Sequence, residues 1–313
     1  MISFLISLNV GGYFFGDYYN IISSSIDTFE NFSGYWLRRV YFHVEKETDI
    51  YKAVLRFEMN DPGFRKSEKL IPYLKDAFIS LKFLKGHNFI FGIQGSPAFD
   101  FIEKRWGFRH IQKTPQDLYT IASAREYGIG LEGKFTEYLK YHFTFGNGKG
   151  VSSENDKYKK YSLSLKFFPI KELAFEVYGD YDEANIKTIQ GFLSYTHQMF
   201  DIGFTYTYQI KKDTDTIPLI SSYITLKPIK QLDIVLRYDR ALNPLTKDTT
   251  KPYLPETYLI LKQNTTFNYF IVALNYKLLK ELSISPTLDI VLYDDKNIKR
   301  ELMFRLVVFY KFN

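Results

Sequence analysis

Between residues 96 and 124 the chain reads SPAFDFIEKRWGFRHIQKTPQDLYTIASA, which sets Lys104, Arg105, Arg109 and Lys113 among Phe99, Phe101, Trp106 and Phe108. Four fixed cations at that density hold or steer anions. The aromatic rings argue that the segment is packed, because a disordered tether is poor in them. Long irregular stretches in ordered proteins usually carry a function. Covalent chemistry, by contrast, has little material. There is no cysteine, and His43, His87, His110, His142 and His197 are scattered. Gly95-Ser96-Pro97 is no nucleophile elbow, and Gly146-Asn147-Gly148-Lys149-Gly150 lacks the spacing of a phosphate-binding loop. No enzyme activity, cofactor or metal is expected.

The elements that must position these cations are read from parity. In KKYSLSLKFFPIKELAFEVYGDYD, residues 159–182, Tyr161, Leu163, Leu165 and Phe167 share one face and Lys160, Ser162, Ser164 and Lys166 the other. That is the period of a strand, not of a helix. After a Pro169-Ile170-Lys171-Glu172 knot, Leu173, Phe175, Val177 and Tyr181 oppose Ala174, Glu176, Tyr178 and Asp180. The two halves form a hairpin with one apolar and one polar face.

Parity from end to end predicts about sixteen strands. Their cores are 6–18, 35–46, 50–60, 72–84, 88–95, 125–135, 138–147, 159–168, 172–182, 187–196, 200–210, 218–227, 231–240, 268–278, 283–293 and 300–312. No long segment has a helical period, and no run of apolar residues is long enough for a membrane helix. Short turns, such as Lys85-Gly86-His87 and His197-Gln198-Met199, alternate with longer linkers, of which 96–124 is the longest. That is the plan of an up-and-down meander whose two rims differ. No shift in composition marks a second domain, so residues 1–313 read as one. The start, MISFLISLNVGG, has neither a basic leader nor an Ala-x-Ala site and does not read as a complete signal peptide.

A soluble sandwich would alternate too, but Tyr 26 and Phe 29 in 313 residues would overfill a layer about 10 Å thick. The expected fold is all-β: a closed antiparallel transmembrane β-barrel of about sixteen strands, wide enough for an aqueous channel, with the 96–124 loop between the fifth and sixth strands folded inward, an external flap being the alternative for that loop. The polar parity then lines the lumen. Its basic members are Arg39, Lys52, Arg56, Lys82, Lys134, Lys140, Lys160, Lys166, Lys227, Arg237, Lys277, Arg305 and Lys311. Its acidic members are Glu45, Glu58, Asp76, Glu126, Glu132, Glu176, Asp180, Asp201, Asp233, Asp239, Asp289 and Glu301. Near balance favours a general diffusion pore over an ion-selective filter, with Lys104, Arg105, Arg109 and Lys113 at the constriction giving a mild anion preference. A specialised anion channel or exporter, and a soluble β-rich binding protein, are the alternatives. The net charge of +6 is spread along the chain, not gathered into a nucleic-acid patch.

Several short motifs, taken in order, resemble the phosphate-selective porin O and P family. They are Arg38-Arg39-Val40-Tyr41-Phe42, Asp76-Ala77-Phe78-Ile79, Gly92-Ile93-Gln94 leading to Pro97, Arg125 with Gly128 and Gly133, Phe145-Gly146-Asn147-Gly148, and the closing Phe309-Tyr310-Lys311-Phe312. The resemblance implies a sixteen-stranded porin of a Gram-negative outer membrane, surrounded by its lipid. It further implies a homotrimer with an inward third loop, passing small inorganic or organic anions passively. Members that select phosphate use arginine ladders and a central lysine, whereas the lumen here is mixed in sign. The C-terminal Asn313 also departs from the usual terminal Phe.

Overall fold

A computed structural model describes residues 8–61, 69–211, 215–249, 253 and 259–312. The expectations for the apolar start 1–7, for Asn313, and for parts of the linkers 61–71, 211–217 and 241–267 lie outside them.

Sixteen strands run in sequence order. They are β1 (Asn9–Ser23), β2 (Ser33–Glu47), β3 (Tyr51–Met59), β4 (Tyr73–Leu84), β5 (His87–Gly95), β6 (Arg125–Lys134), β7 (Leu139–Gly146) and β8 (Lys160–Phe167). They continue as β9 (Leu173–Asp182), β10 (Ile186–Thr196), β11 (Phe200–Lys211), β12 (Asp215–Ile229), β13 (Leu232–Ala241), β14 (Phe267–Lys277), β15 (Leu282–Tyr293) and β16 (Glu301–Phe312). Each pairs antiparallel with its neighbours, and β1 closes on β16 through Gly12↔Phe312 to Ser23↔Leu302. Closure leaves no edge, as a sheet in lipid requires. Strand β1 runs five residues past its expected end, and the 96–124 segment holds two short helices, α1 (Asp100–Trp106) and α2 (Pro115–Leu118).

The apolar parity faces outward. On β8, Tyr161, Leu163, Leu165 and Phe167 are exposed while Ser162 and Ser164 are buried. On β9, Phe175, Val177 and Tyr181 are exposed while Glu176, Tyr178 and Asp180 are buried. Outward rings gather near both rims: Tyr18–Tyr35, Phe145–Tyr161 and Tyr238–Phe270 toward the long loops, Phe135–Tyr141 and Tyr195–Phe200 toward the short turns. An apolar belt between aromatic girdles matches the two boundaries of a bilayer. Water would not tolerate so large an apolar patch.

Pairing shifts register at several points along the barrel, and two of these shifts have consequences inside. Opposite Gly16 of β1, strand β2 inserts an extra residue, since Phe15 pairs with Arg39 but Asp17 with Trp36. The bulge turns both Arg38 and Arg39 inward. Opposite β3 the same happens in β4, where Arg56 pairs with Asp76 but Phe57 with Leu74, so Lys75 and Asp76 both reach inward partners. Gly92 in β5 sits at φ 124°, where a Cβ would overlap the Ala77 carbonyl oxygen. Gly92→Ala is expected to cost about 1–3 kcal/mol of strain. It should appear as a lower unfolding temperature in detergent without loss of strand content by circular dichroism.

The interior is asymmetric. One wall, on β10 to β15, carries inward apolar side chains including Phe192, Leu219, Tyr223, Val235, Tyr269 and Ile271. The 96–124 loop packs on it through Phe101, Ile102, Trp106, Ile111, Leu118, Tyr119 and Ile121. Leu245, Leu259 and Leu261, from the connection between β13 and β14, join the same cluster, and Ile260 packs on Tyr19, Ile21, Trp36 and Met303. Strand β14 is therefore apolar on both faces, which its blurred alternation FNYFIVALNYK records.

Candidate functional site

The loop's path follows from its partners. The carbonyl of Ala98 accepts from Gln190 at 2.8 Å. Helix α1 then runs toward the short-turn rim, where Phe101 meets Phe168 edge-on at 5.7 Å and Arg105 donates to Thr196 at 2.8 Å. Trp106 packs edge-on to Tyr223 at 5.1 Å and donates to the Gln112 carbonyl at 2.9 Å. The chain then returns along the wall, Gln116 donating to Thr207 at 3.2 Å and Gln209 donating to the Ile121 carbonyl at 2.7 Å.

Two arginines clamp the loop's backbone. Arg38, fully buried, binds Asp17 at 2.8 Å and donates to the carbonyls of His110 and Ile111. Arg237 binds Asp239 at 2.6 Å, donates to the Lys113 carbonyl and lies 5.3 Å from the Trp106 ring. Tyr119 completes that joint by donating to Asp239 at 2.8 Å. Asp17 also binds Arg305 at 3.2 Å, and Arg305 binds Asp289 at 2.6 Å. Arg237 and Arg305, expected to line the pore, are thus buried and hold the loop and the wall beneath it. Fully desolvated charges need such complete pairing.

Space remains on both sides of the loop, and the first such space lies between it and β2 to β7. The loop presents Glu103, Arg109 and Asp117. Arg109 lies 3.3 Å from Glu103 and 3.1 Å from Asp117, and Lys113, itself buried, lies 3.5 Å from Asp117. Opposite are Arg39 with Glu58 at 3.0 Å, Lys75 with the same Glu58 at 3.0 Å, and Arg56 with Asp76 at 3.2 Å. Arg125 binds Asp76 as well. Burial alone would raise the Asp117 carboxyl, but Lys113 and Arg109, with Lys75 and Arg39 beyond them, hold it down to about 2. Burial lifts the Glu103 carboxyl above its ordinary value, against the pull of Arg109 and Arg125.

Several of these residues border a cavity of about 460 Å³, lined by Lys52, Arg56, Asp76, Lys82, Asp100, Glu103, Lys104, Arg125, Glu132 and His142 among others. Lys52 pairs with Glu45 at 3.0 Å and Lys82 with Glu47 at 2.8 Å, while Glu132 accepts from Asn88 at 3.1 Å. A second cavity of about 480 Å³, beside the turn at Leu279 to Glu281, is lined by Lys104, Arg105, Trp106, Phe108, Asp201 and Lys227 among others. There Asp201 binds Lys227 at 2.7 Å. Glu176 accepts from Ser164 at 2.5 Å and lies 3.9 Å from Lys166, and Lys140 stands 5.0 Å from the Phe168 ring. The structure therefore gathers Arg39, Arg56, Arg125, Asp76, Arg109 and Lys113 in one ion-paired cluster beside the loop. It leaves Lys104, Arg105, Lys140, Lys166, Glu176 and Asp201 nearer the short turns.

The parity reading missed Arg38, Lys75, Tyr13 and Tyr41; the rings of the last two lie 4.5 Å apart, tilted by 32°, on the wall facing the loop. The doublets Arg38-Arg39 and Lys75-Asp76 were the available signal, because two adjacent charges in a membrane strand fit only if a bulge turns both inward.

The loop's seat is expected to weaken in acid. His110 is buried beside Arg38, with its Nε2 3.2 Å from Asn275, and burial, helped by Arg38, lowers its pKa to about 4. A released loop would titrate near 6.5, so seating weakens as pH falls from about 6.5 to about 4, by up to about 3 kcal/mol. Current noise from loop excursions is expected to rise over that interval and to flatten in His110→Gln.

No family model matches the sequence, and no curated protein matches it. Solved structures do. The outer membrane channel DcaP of Acinetobacter baumannii superposes with a TM-score of 0.63 at 11% identity, covering 98% of this chain and 97% of that one. The anion-selective porin from Comamonas acidovorans gives 0.65 at 10%, covering 98% and 99%. OmpF of Salmonella typhi, in complex with daunomycin, gives 0.69 at 8%, covering 97% of each. The chain has the porin fold.

Proposed function

We propose that this protein is an outer-membrane porin of a Gram-negative bacterium, a water-filled channel for passive diffusion of small hydrophilic solutes. The observation that carries the reading is the division of parities, apolar side chains outward and charged ones inward, where they line a cavity of about 460 Å³ beside the loop. Charges on the lipid side would cost several kcal/mol each, and inside they need water or partners. Purified protein in planar bilayers is expected to show discrete, non-saturating conductance. Folded protein that conducts nothing would overturn the reading.

Anion preference is the finer part of the proposal. The loop carries four cations, Lys104, Arg105, Arg109 and Lys113, against three carboxylates, Asp100, Glu103 and Asp117. Pairing within the loop leaves a small excess, which supports a mild preference. The phosphate-selective alternative rests on the motif resemblance alone, and the pairing of Arg39, Arg56 and Arg125 with carboxylates speaks against an open arginine ladder. Reversal potentials in a salt gradient decide. If changing the four loop cations to Gln leaves both conductance and ion preference intact, the loop does not set selectivity. A homotrimer, implied by the same resemblance, is tested by light scattering in detergent.

A further inference from the structure

Most inward cations are matched by a carboxylate; of the exceptions among the described residues, Lys311 stands by itself on β16 and three others cluster. Among the described residues, neither Arg105 nor Lys140 has a carboxylate at ion-pair distance, and Lys166 has only Glu176 at 3.9 Å. The three share an aromatic platform. The Arg105 guanidinium lies 5.4 Å and the Lys166 ammonium 5.5 Å from the centre of the Phe101 ring, and Lys140 lies 5.0 Å from that of Phe168. The two rings meet edge-on at 5.7 Å. Lys104, one residue from Arg105, pairs with Asp100 at 3.0 Å but keeps 74% of its side chain exposed.

This platform belongs to the short-turn end. Phe168 follows β8 in its turn, Lys140 opens β7 opposite Lys166, and Thr196, the hydrogen-bond partner of Arg105, ends β10. The carboxylates near the group are engaged elsewhere: Glu132, close enough to act on Lys166, accepts from Asn88 at 3.1 Å. Asp100 is engaged by Lys104, Glu176 is buried and bonded to Ser164, and Glu137 in the neighbouring turn is paired with Lys134. In the paired cluster beside the loop, by contrast, Arg39, Arg56, Arg109 and Arg125 each meet a carboxylate.

We infer that Arg105, Lys140 and Lys166 form an anion-collecting site at the short-turn mouth, which makes the channel's conductance asymmetric. The inference rests on the channel reading and adds where fixed charge acts. Uncompensated positive charge enriches small anions within a Debye length, about 10 Å at 0.1 M salt and about 3 Å at 1 M. When the field drives anions in through the short-turn mouth, that mouth delivers them faster than the charge-balanced cluster beside the loop removes them. Carriers accumulate and the current rises. When the field is reversed, the same region is depleted. The rings contribute by holding the cations apart from the carboxylate-rich wall, since a cation over a ring face is favourable without neutralisation.

Single-channel currents of the full chain, measured in potassium chloride at equal and opposite voltages, test this. At 0.1 M the current ratio is expected to be about 1.5, falling toward 1 at 1 M. A Lys230→Cys variant carrying a bulky impermeant thiol label on one side reports which mouth faces which chamber. The triple change Arg105→Gln, Lys140→Gln, Lys166→Gln is expected to abolish the asymmetry and reduce anion preference, and Lys157→Gln at the opposite rim to alter neither. Lys140→Gln alone, at an exposed side chain, is expected to reduce the ratio and covers the case in which the triple variant does not fold. A symmetric parent at 0.1 M, or neutralised variants with the parent's ratio, would overturn the inference while leaving the channel reading intact. A folded protein without conductance overturns both.

Discussion

Arg38→Ala is expected to destabilise the barrel by about 3–5 kcal/mol and to release the 96–124 loop. The guanidinium is fully buried and serves Asp17 together with two loop carbonyls, those of His110 and Ile111. Removing one partner of a buried ion pair leaves the other charge desolvated and unpaired. Arg305 offers Asp17 only partial relief, at 3.2 Å, because Asp289 already engages it at 2.6 Å. The loop loses its anchor on β2 while keeping Arg237 on β13, so it should swing out and not unfold. Single-channel conductance is therefore expected to rise and become noisy, and the unfolding temperature to fall. Arg38→Lys should recover charge but not the forked geometry, and so restore stability only in part. A variant with the parent's conductance and stability would show that Arg38 is not the clamp.

Val177→Arg probes the outward face. Val177 lies midway along β9, 62% exposed, paired with Leu165 on one side and with Gly191 on the other. In lipid an arginine there costs about 2–4 kcal/mol, whereas on a water-exposed surface the change would be nearly neutral. Folding into lipid vesicles, followed by the gel mobility of folded against unfolded protein, is expected to shift toward the unfolded form. Unchanged folding would mean that this parity does not touch acyl chains. Thr205→Ser, buried on the inward face of β11, serves as a comparison that leaves the outer surface alone.

The clamp and the belt differ in how legible they were. Tyr161, Leu163 and Leu165 against Ser162 and Ser164 announce their faces in the sequence, because a strand has period two and lipid and water lie on opposite sides of it. Repeated over about sixteen segments with alternating short and long connections, that contrast was enough for the closed barrel and its strand order. Gly92 and the two bulges escape such a reading, since it assumes an unbroken period. So does the covered wall at β14, where Tyr269 and Ile271 point inward onto a loop more than a hundred residues earlier in the chain.

The sequence by itself determined the architecture, a barrel with an apolar skin, a charged interior and one long aromatic and basic loop. Only the tertiary structure decided which of those charges stay open to solutes. Asp17 meets Arg305 because closure brings β1 beside β16, and Arg237 meets the Lys113 carbonyl because the loop crosses the lumen. Neutralisation depends on distances of a few ångströms between residues far apart in sequence, and composition carries no trace of them.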